Sequence, residues 1–255
     1  MTKTSALPKS NELIPVLNSH FKGKINLARI KLIALMICSL CKVQTVTFDK
    51  LANAFDHQAD PSSSLRRIQR FMATYALDKD LITKLVFNLL PKQEKVKLTI
   101  DRTNWKFGQA NINIFMVGVV YQGVAFPLLF TMLGKRGNSS SEERIALIER
   151  FIGLFGKECI ESLVADREFV GQKWIGYLNE NQISYHIRVR NNFKVTLPGK
   201  SNPIKAFWLF NNLKTNEFKY YHKLVSINGN LCYLSGKKLP KGDFLIIISL
   251  SLIHI

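Results

Sequence analysis

Acidic side chains are scarce in this chain. Against 36 Lys and Arg there are 18 Asp and Glu in 255 residues, which leaves a net charge of +18 and a pI near 9.9. That imbalance excludes an evenly charged surface and points to a polyanionic partner, nucleic acid first. Long apolar runs are missing as well. Residues 32–38 and 244–252, the second interrupted by two serines, are too short to span a bilayer. The first apolar run follows a charged, Pro-containing segment, so no secretory signal is visible. The expectation is a cytoplasmic protein, nucleoid-associated through DNA, with no membrane partner. Cysteine is sparse too, with four residues. Cys38 and Cys41 form a C-x-x-C pair inside an apolar run, and Cys159 and Cys232 have no His at zinc-ligand spacing, so buried structural thiols are expected. His20, His57, His186, His222 and His254 form no recognisable ligand set.

What is present is a foldable chain. Hydrophobic residues make up 47% of it, enough to build a core. Residues 1–95 read as a helical DNA-binding region. Ile25 to Leu40 is a strongly apolar helix, Thr47 opens a short helix holding Leu51, Ala52 and Phe55, and Asp60-Pro61 is a cap and first-turn signal. Beyond it Leu65, Ile68, Phe71, Met72 and Tyr75 recur at helical spacing, leaving Arg66, Arg67 and Arg70 on the solvent side. A helix-turn-helix-like reader of double-stranded DNA fits this order, and a solvated basic face on a structural helix fits it equally. Another helix spans Leu77 to Leu90.

From Val96 the period changes from helical to alternating. Val96, Leu98 and Ile100 alternate with polar residues, and Asp101 stands where that strand is expected to end. Ile112 to Val120 and Val124 to Phe130 read as a hairpin around Tyr121-Gln122-Gly123. Ser140 with Glu143 is a capping box, and the helix behind it stops at Gly156. Ile160 to Ala165 is a strand leading into Asp166, residues 170–181 a helix, and residues 184–190 a strand. Three strands, a helix, a strand, a helix and a strand give an α/β fold, a ribonuclease H-like mixed sheet with helices on its faces over residues 96–193. In that order the first and fourth strands are neighbours, and Asp101 and Asp166 converge.

Residues 194–255 read as a basic β-rich insertion. Strand-like pieces at 218–225 and 230–235 are joined by Asn-Gly and Ser-Gly turns. From Arg188 to Lys241 there are 11 Lys and Arg and one acid, Glu217. With Trp208, Phe210, Tyr220 and Tyr221 interleaved, this suits a phosphate-backbone surface with aromatic contacts. Arg188, Arg190 and Lys194 are the candidate phosphate contacts.

Two convergent carboxylates in so basic a protein suggest divalent-metal phosphoryl transfer, since Mg²⁺ is held by one or two carboxylates plus substrate phosphate oxygens. On spacing alone Asp101 reads equally as a turn or cap residue, and Asp166 as the ion-pair partner of Arg102 or Arg167. The runs Ile100-Asp101-Arg102-Thr103-Asn104-Trp105, Gly137-Asn138-Ser139 with Glu142-Glu143-Arg144, and Ala165-Asp166-Arg167-Glu168-Phe169 resemble bacterial insertion-sequence transposases of the Asp-Asp-Glu class. They are similar to the insertion-sequence family numbered four, the subgroup with a Tyr-Arg-Glu-Lys box. The resemblance implies that Asp101 and Asp166 are the first two catalytic acids and hold Mg²⁺ or Mn²⁺. It further implies that the partners are element ends and target DNA, and that the protein assembles as a homo-oligomer on DNA. The family's third acid, a Glu in a Tyr-x2-Arg-x3-Glu-x6-Lys box, has no counterpart here. After Glu180 the acids are Glu217 and Asp243, and neither has the box around it. The expectation is a C-terminally truncated transposase. The alternatives are an inactive DNA-binding remnant or inhibitor, and a nuclease that completes its site with Glu168.

Overall fold

In a computed structural model that describes residues 9–56, 59–91 and 93–252, the chain divides into two compact units, Met1–Leu85 and Val86–Ile255. The sequence expectations for His57 and His254 lie outside the described residues. Five helices come first: α1 (Ser10–Phe21), α2 (Leu27–Val43), α3 (Phe48–Asn53), α4 (Pro61–Thr74) and α5 (Lys79–Leu89). In the first unit α2 is apolar nearly all round because it serves two clusters. Its Ile30 and Ala34 join Leu17 and Phe21 of α1 and Leu81 and Leu85 of α5. Its Leu32 joins Leu51, Ala52, Phe55 and Ile68. Asp60 caps α4 by accepting from the Ser62 N–H at 2.7 Å, with Pro61 in the first turn, where a missing N–H costs nothing.

The second unit holds β1 (Val96–Phe107), β2 (Ala110–Tyr121), β3 (Val124–Met132), α6 (Ser141–Phe155), β4 (Ile160–Ala165), α7 (Gln172–Glu180) and β5 (Tyr185–Val189). After them come β6 (Lys194–Val195), β7 (Ile204–Lys205), β8 (Phe218–Ile227), β9 (Asn230–Lys238) and β10 (Phe244–Ser249). The main sheet runs β3-β2-β1-β4-β5-β10-β9-β8, and β6 and β7 form a separate pair. β1, β4 and β5 are mutually parallel, and β2 runs antiparallel to both of its neighbours, β1 and β3. This is the ribonuclease H-like core. The segment after β5 adds β10, β9 and β8 to its far edge, all antiparallel.

Register follows from burial. Leu98, Ile100, Leu163, Ala165, Tyr185, Ile187 and Val189 are buried in one cluster with Leu147, Ile148 and Phe151 of α6 and Trp174, Ile175 and Leu178 of α7. Each fully buried Leu or Ile contributes about 1.5–3 kcal/mol. A slip of one residue would expose this set and turn Asp101 inward, so the pairing is strongly held. On the opposite parity Lys97 and Asp101 are exposed and Val164 is 41% exposed.

Several local expectations meet their physical reasons here. Gln122 and Gly123 make the β2–β3 turn with φ of 49° and 77°, the left-handed pair that a two-residue hairpin needs. The capping box at Ser140 and Glu143 is closed in both directions. β1, however, does not end at Asp101. It continues to Phe107 against β2, and only its pairing with β4 stops at Ile100. Ser235-Gly236 is not a turn but lies inside β9. A Cβ on Gly236 would stand 2.5 Å from the Phe210 ring, so the glycine gives that ring its room. Phe210 is fully buried and is core, not a nucleic-acid contact, whereas Trp208 is exposed. Cys38 and Cys232 are buried and Cys159 is half-buried, but Cys41, in the last turn of α2, is exposed.

Candidate metal and nucleic-acid site

Adjacent strands β1 and β4 pair Ile100 with Ala165, and β4 and β5 pair Ala165 with Ile187. Asp101, Asp166 and Arg188 therefore each follow one matched row of three neighbouring parallel strands about 4.8 Å apart, where the β1–β4 pairing stops although β1 itself runs on. The strand order also reverses between β1 and β4: β1 leads on to β2 and β3 on one side, while β4 leads on to β5 on the other. Ligand sites of α/β sheets open at such reversals, outside the carboxyl strand ends. Asp101 and Asp166 are both exposed, and one Asp101 carboxylate oxygen accepts from the Arg102 N–H at 2.7 Å.

Beneath the two carboxylates a polar hub joins the three sequence runs. Arg102 Nε and Nη2 donate to the two oxygens of Glu168 at 3.3 and 3.0 Å. Its Nη1 donates to Asn113 Oδ1 at 3.4 Å and Nη2 also to Asn138 Oδ1 at 3.1 Å. Asn113, fully buried, donates in turn to the carbonyls of Lys135 and Gly137 at 2.9 and 3.0 Å. Buried Arg144 donates to Ser139 Oγ at 2.9 Å, to the Ser139 carbonyl at 2.7 Å and to the Glu168 carbonyl at 3.2 Å. Its guanidinium lies 5.2 Å from the Phe169 ring centre. Burial pulls the Arg144 pKa down, and Glu168 and Glu143 oppose that. Both arginines of the hub are met by several oxygen acceptors, which is the condition for burying charge. The hub fastens β1, β2, the β3–α6 loop and the loop after Asp166 to one another.

This arrangement answers two sequence alternatives. Arg102 is the partner of Glu168, not of Asp166. Both Glu168 oxygens are held by Arg102, so Glu168 is not a free third ligand. Among the described residues no group of three or more His, Cys, Asp or Glu side chains is placed to hold a metal ion. Two carboxylates still fit a Mg²⁺ ion that takes its remaining ligands from water and substrate phosphate.

The basic candidates fall in separate places. Arg66, Arg67 and Arg70 are exposed along α4 in the first unit. Arg188 is half-buried on β5 and Arg190 exposed just beyond it. Together with Arg167, Asn191, Asn192 and Asp243 they line a cleft of about 320 Å³. Lys194, exposed on β6 opposite Lys205, is not among its lining residues. Sequence reasoning named Arg102 and Arg144 without joining them to each other or to Asn113, because the three span 42 positions end to end and only folding brings them together. Half-buried His186, two residues before Arg188, has a buried Nδ1 without a hydrogen-bond partner. Burial first and Lys97 second hold its pKa below the ordinary histidine value, with Glu161 opposing. Among the described residues no helix is long and apolar enough to cross a membrane.

No protein-family model and no curated protein matches the chain. Among solved structures, piggyBac transposase in its synaptic complex with hairpin DNA is similar at 12% identity and a TM-score of 0.46. That match covers 96% of this chain and 59% of the other, so this chain spans less than two thirds of that protein's length. A simian T-cell lymphotropic virus intasome, in complex with the PP2A regulatory subunit B56 gamma, is similar at 11% identity over 48% and 47% of the chains with a TM-score of 0.31. Endonuclease V from Bacillus subtilis matches at 8% identity over 68% and 77% with a TM-score of 0.31. At such distance the fold rests on strand order and register, and the site on its own geometry.

Proposed function

We propose that this chain is a DNA transposase of the Asp-Asp-Glu type, similar to the insertion-sequence family numbered four, which cuts element ends and joins the freed 3′-hydroxyl to target DNA. The observation that carries the reading is the placement of Asp101 and Asp166, each one residue past the matched Ile100–Ala165 pair where the strand order reverses. Asp101 and Asp166 would hold Mg²⁺ or Mn²⁺. The ion, when bound, supplies charge neutralisation at the reacting phosphate. The chain's own residues do the rest. Arg188, Arg190 and Lys194 bind backbone phosphates, Arg66, Arg67 and Arg70 present α4 to duplex DNA, and the Arg102–Glu168 hub ties β1 to the loop after β4. On DNA the protein works as a homo-oligomer.

The second reading is binding without cleavage, as a remnant or inhibitor. It is favoured by the count of acids, since no third carboxylate joins Asp101 and Asp166 among the described residues. Incubation of the purified chain with duplex element-end DNA and Mn²⁺ or Mg²⁺, beside Asp101→Asn, separates the two. Metal-dependent nicking that disappears in the variant is the expected result for the transposase. Salt-sensitive binding with no nicking assigns the second reading, and failure to bind at low salt overturns both.

A further inference from the structure

We propose that the cleft at the ends of β5 and β10 seats a backbone phosphate of a DNA strand without help from a metal ion. The inference deepens the reading above and rests on it for the identity of the strand. Three guanidiniums line the cleft: Arg167 directly after Asp166, and Arg188 and Arg190 on and just past β5. Asn191 and Asn192 add amide groups, and Asp243 is the one acid lining it, so three cations less one anion leave +2.

Some cations of the chain are held by internal carboxylates, and these arginines are not. Lys97, Arg102, Lys135 and Lys173 each reach a carboxylate at 2.9 to 3.4 Å. Among the described residues none of Arg167, Arg188 and Arg190 has a salt-bridge partner, although Arg188 is half-buried. A guanidinium without an internal anion is open to an outside one, and planar donor forks beside amide groups match phosphate oxygens. Place supports the same ligand. Arg188 stands in the row of Asp101 and Asp166, one strand over, about 5 Å sideways from the column that ends in Asp166. A phosphate seated there belongs to the strand whose neighbouring linkage faces the carboxylates. The seat would fix the position of that strand before any metal arrives.

The test is made in EDTA with a short fluorescent single-stranded DNA, read by anisotropy across a salt series. Arg188→Gln is expected to weaken binding about tenfold and to reduce the slope of log affinity against log salt by about 0.7, one phosphate contact. Arg188→Lys, which keeps charge but not the fork, is expected to fall between. Lys173→Gln removes the same charge from an exposed pair on α7 and is the control for net charge. Equal loss in Lys173→Gln and Arg188→Gln, or unchanged affinity and slope in Arg188→Gln with the melting temperature preserved, overturns the seat. Competition of the DNA by millimolar inorganic phosphate, with no dependence of DNA affinity on Arg188, also overturns it in favour of a free-anion site. Because no divalent ion is present, a chain that never cleaves can still pass, so this seat and the cleavage reading fail separately.

Discussion

Two arginine groups flank the same pair of carboxylates and are treated oppositely by the fold. Arg102 and Arg144 lie on the helix-covered side, buried or nearly so, with carboxylate, amide and carbonyl acceptors around them. Arg167, Arg188 and Arg190 line an open cleft with a single acid. A sequence shows five arginines near two aspartates. The structure sorts them, because a guanidinium surrounded by internal acceptors serves the fold and one left without them is available to a ligand. The sorting also has a mechanical sense. The hub leaves the loops beneath Asp101 and Asp166 little freedom, while the cleft beside them keeps its charge exposed.

Breaking the hub should have the largest effect. Arg102 is 11% exposed at its side chain and Glu168 27%, so Arg102→Ala leaves a partly buried carboxylate unpaired. A loss of about 3 kcal/mol is expected, read as a lower urea midpoint with unchanged slope. Glu168→Gln, which keeps one acceptor, should lose less. A midpoint within error of the parent for Arg102→Ala would mean that the hub carries no load.

A smaller effect should come from His186, on the side of the unpaired cations. Its folded pKa lies below the ordinary 6.5, through burial and then Lys97. The neutral ring therefore contributes stability that is complete above 6.5 and is lost as pH falls from there through the folded value. Thermal melts between pH 7.5 and 5 should show that loss, and His186→Gln should remove this component of the pH dependence. A parallel curve for the variant would assign the dependence elsewhere.

The smallest change in stability is expected at the cleft. Arg190→Gln removes an exposed charge with no internal partner and should move stability by no more than about 0.5 kcal/mol, in contrast to Arg102→Ala. A loss approaching that of Arg102→Ala would erase the distinction between the two groups.

The elements of the second unit could be read from the chain because their causes are local. Alternation in Val96–Ile100, the Gln122-Gly123 turn and the Ser140–Glu143 box each act within a few residues. Misreadings came where a distant contact overrode a local signal. Asp101 looks like a strand terminator, but hydrogen bonds from β2 carry β1 on to Phe107. Ser235-Gly236 looks like a turn, but the glycine makes room for Phe210, 26 positions away. The sequence offers Asp166 as a partner of Arg102, but the loop after β4 turns Glu168 towards it instead.

Sequence alone determined the charge imbalance, the order of helices and strands, and the position of Asp166 directly after a strand, because composition and periodicity are properties of neighbouring residues. Tertiary structure alone decided that Ile100, Ala165 and Ile187 share one row, that Glu168 belongs to Arg102, and that Arg188 stands beside the acids with its own charge unpaired. The physical reason is that register is set by burying Leu98, Ile100, Leu163 and Ile187 together, and no short window of sequence contains that sum.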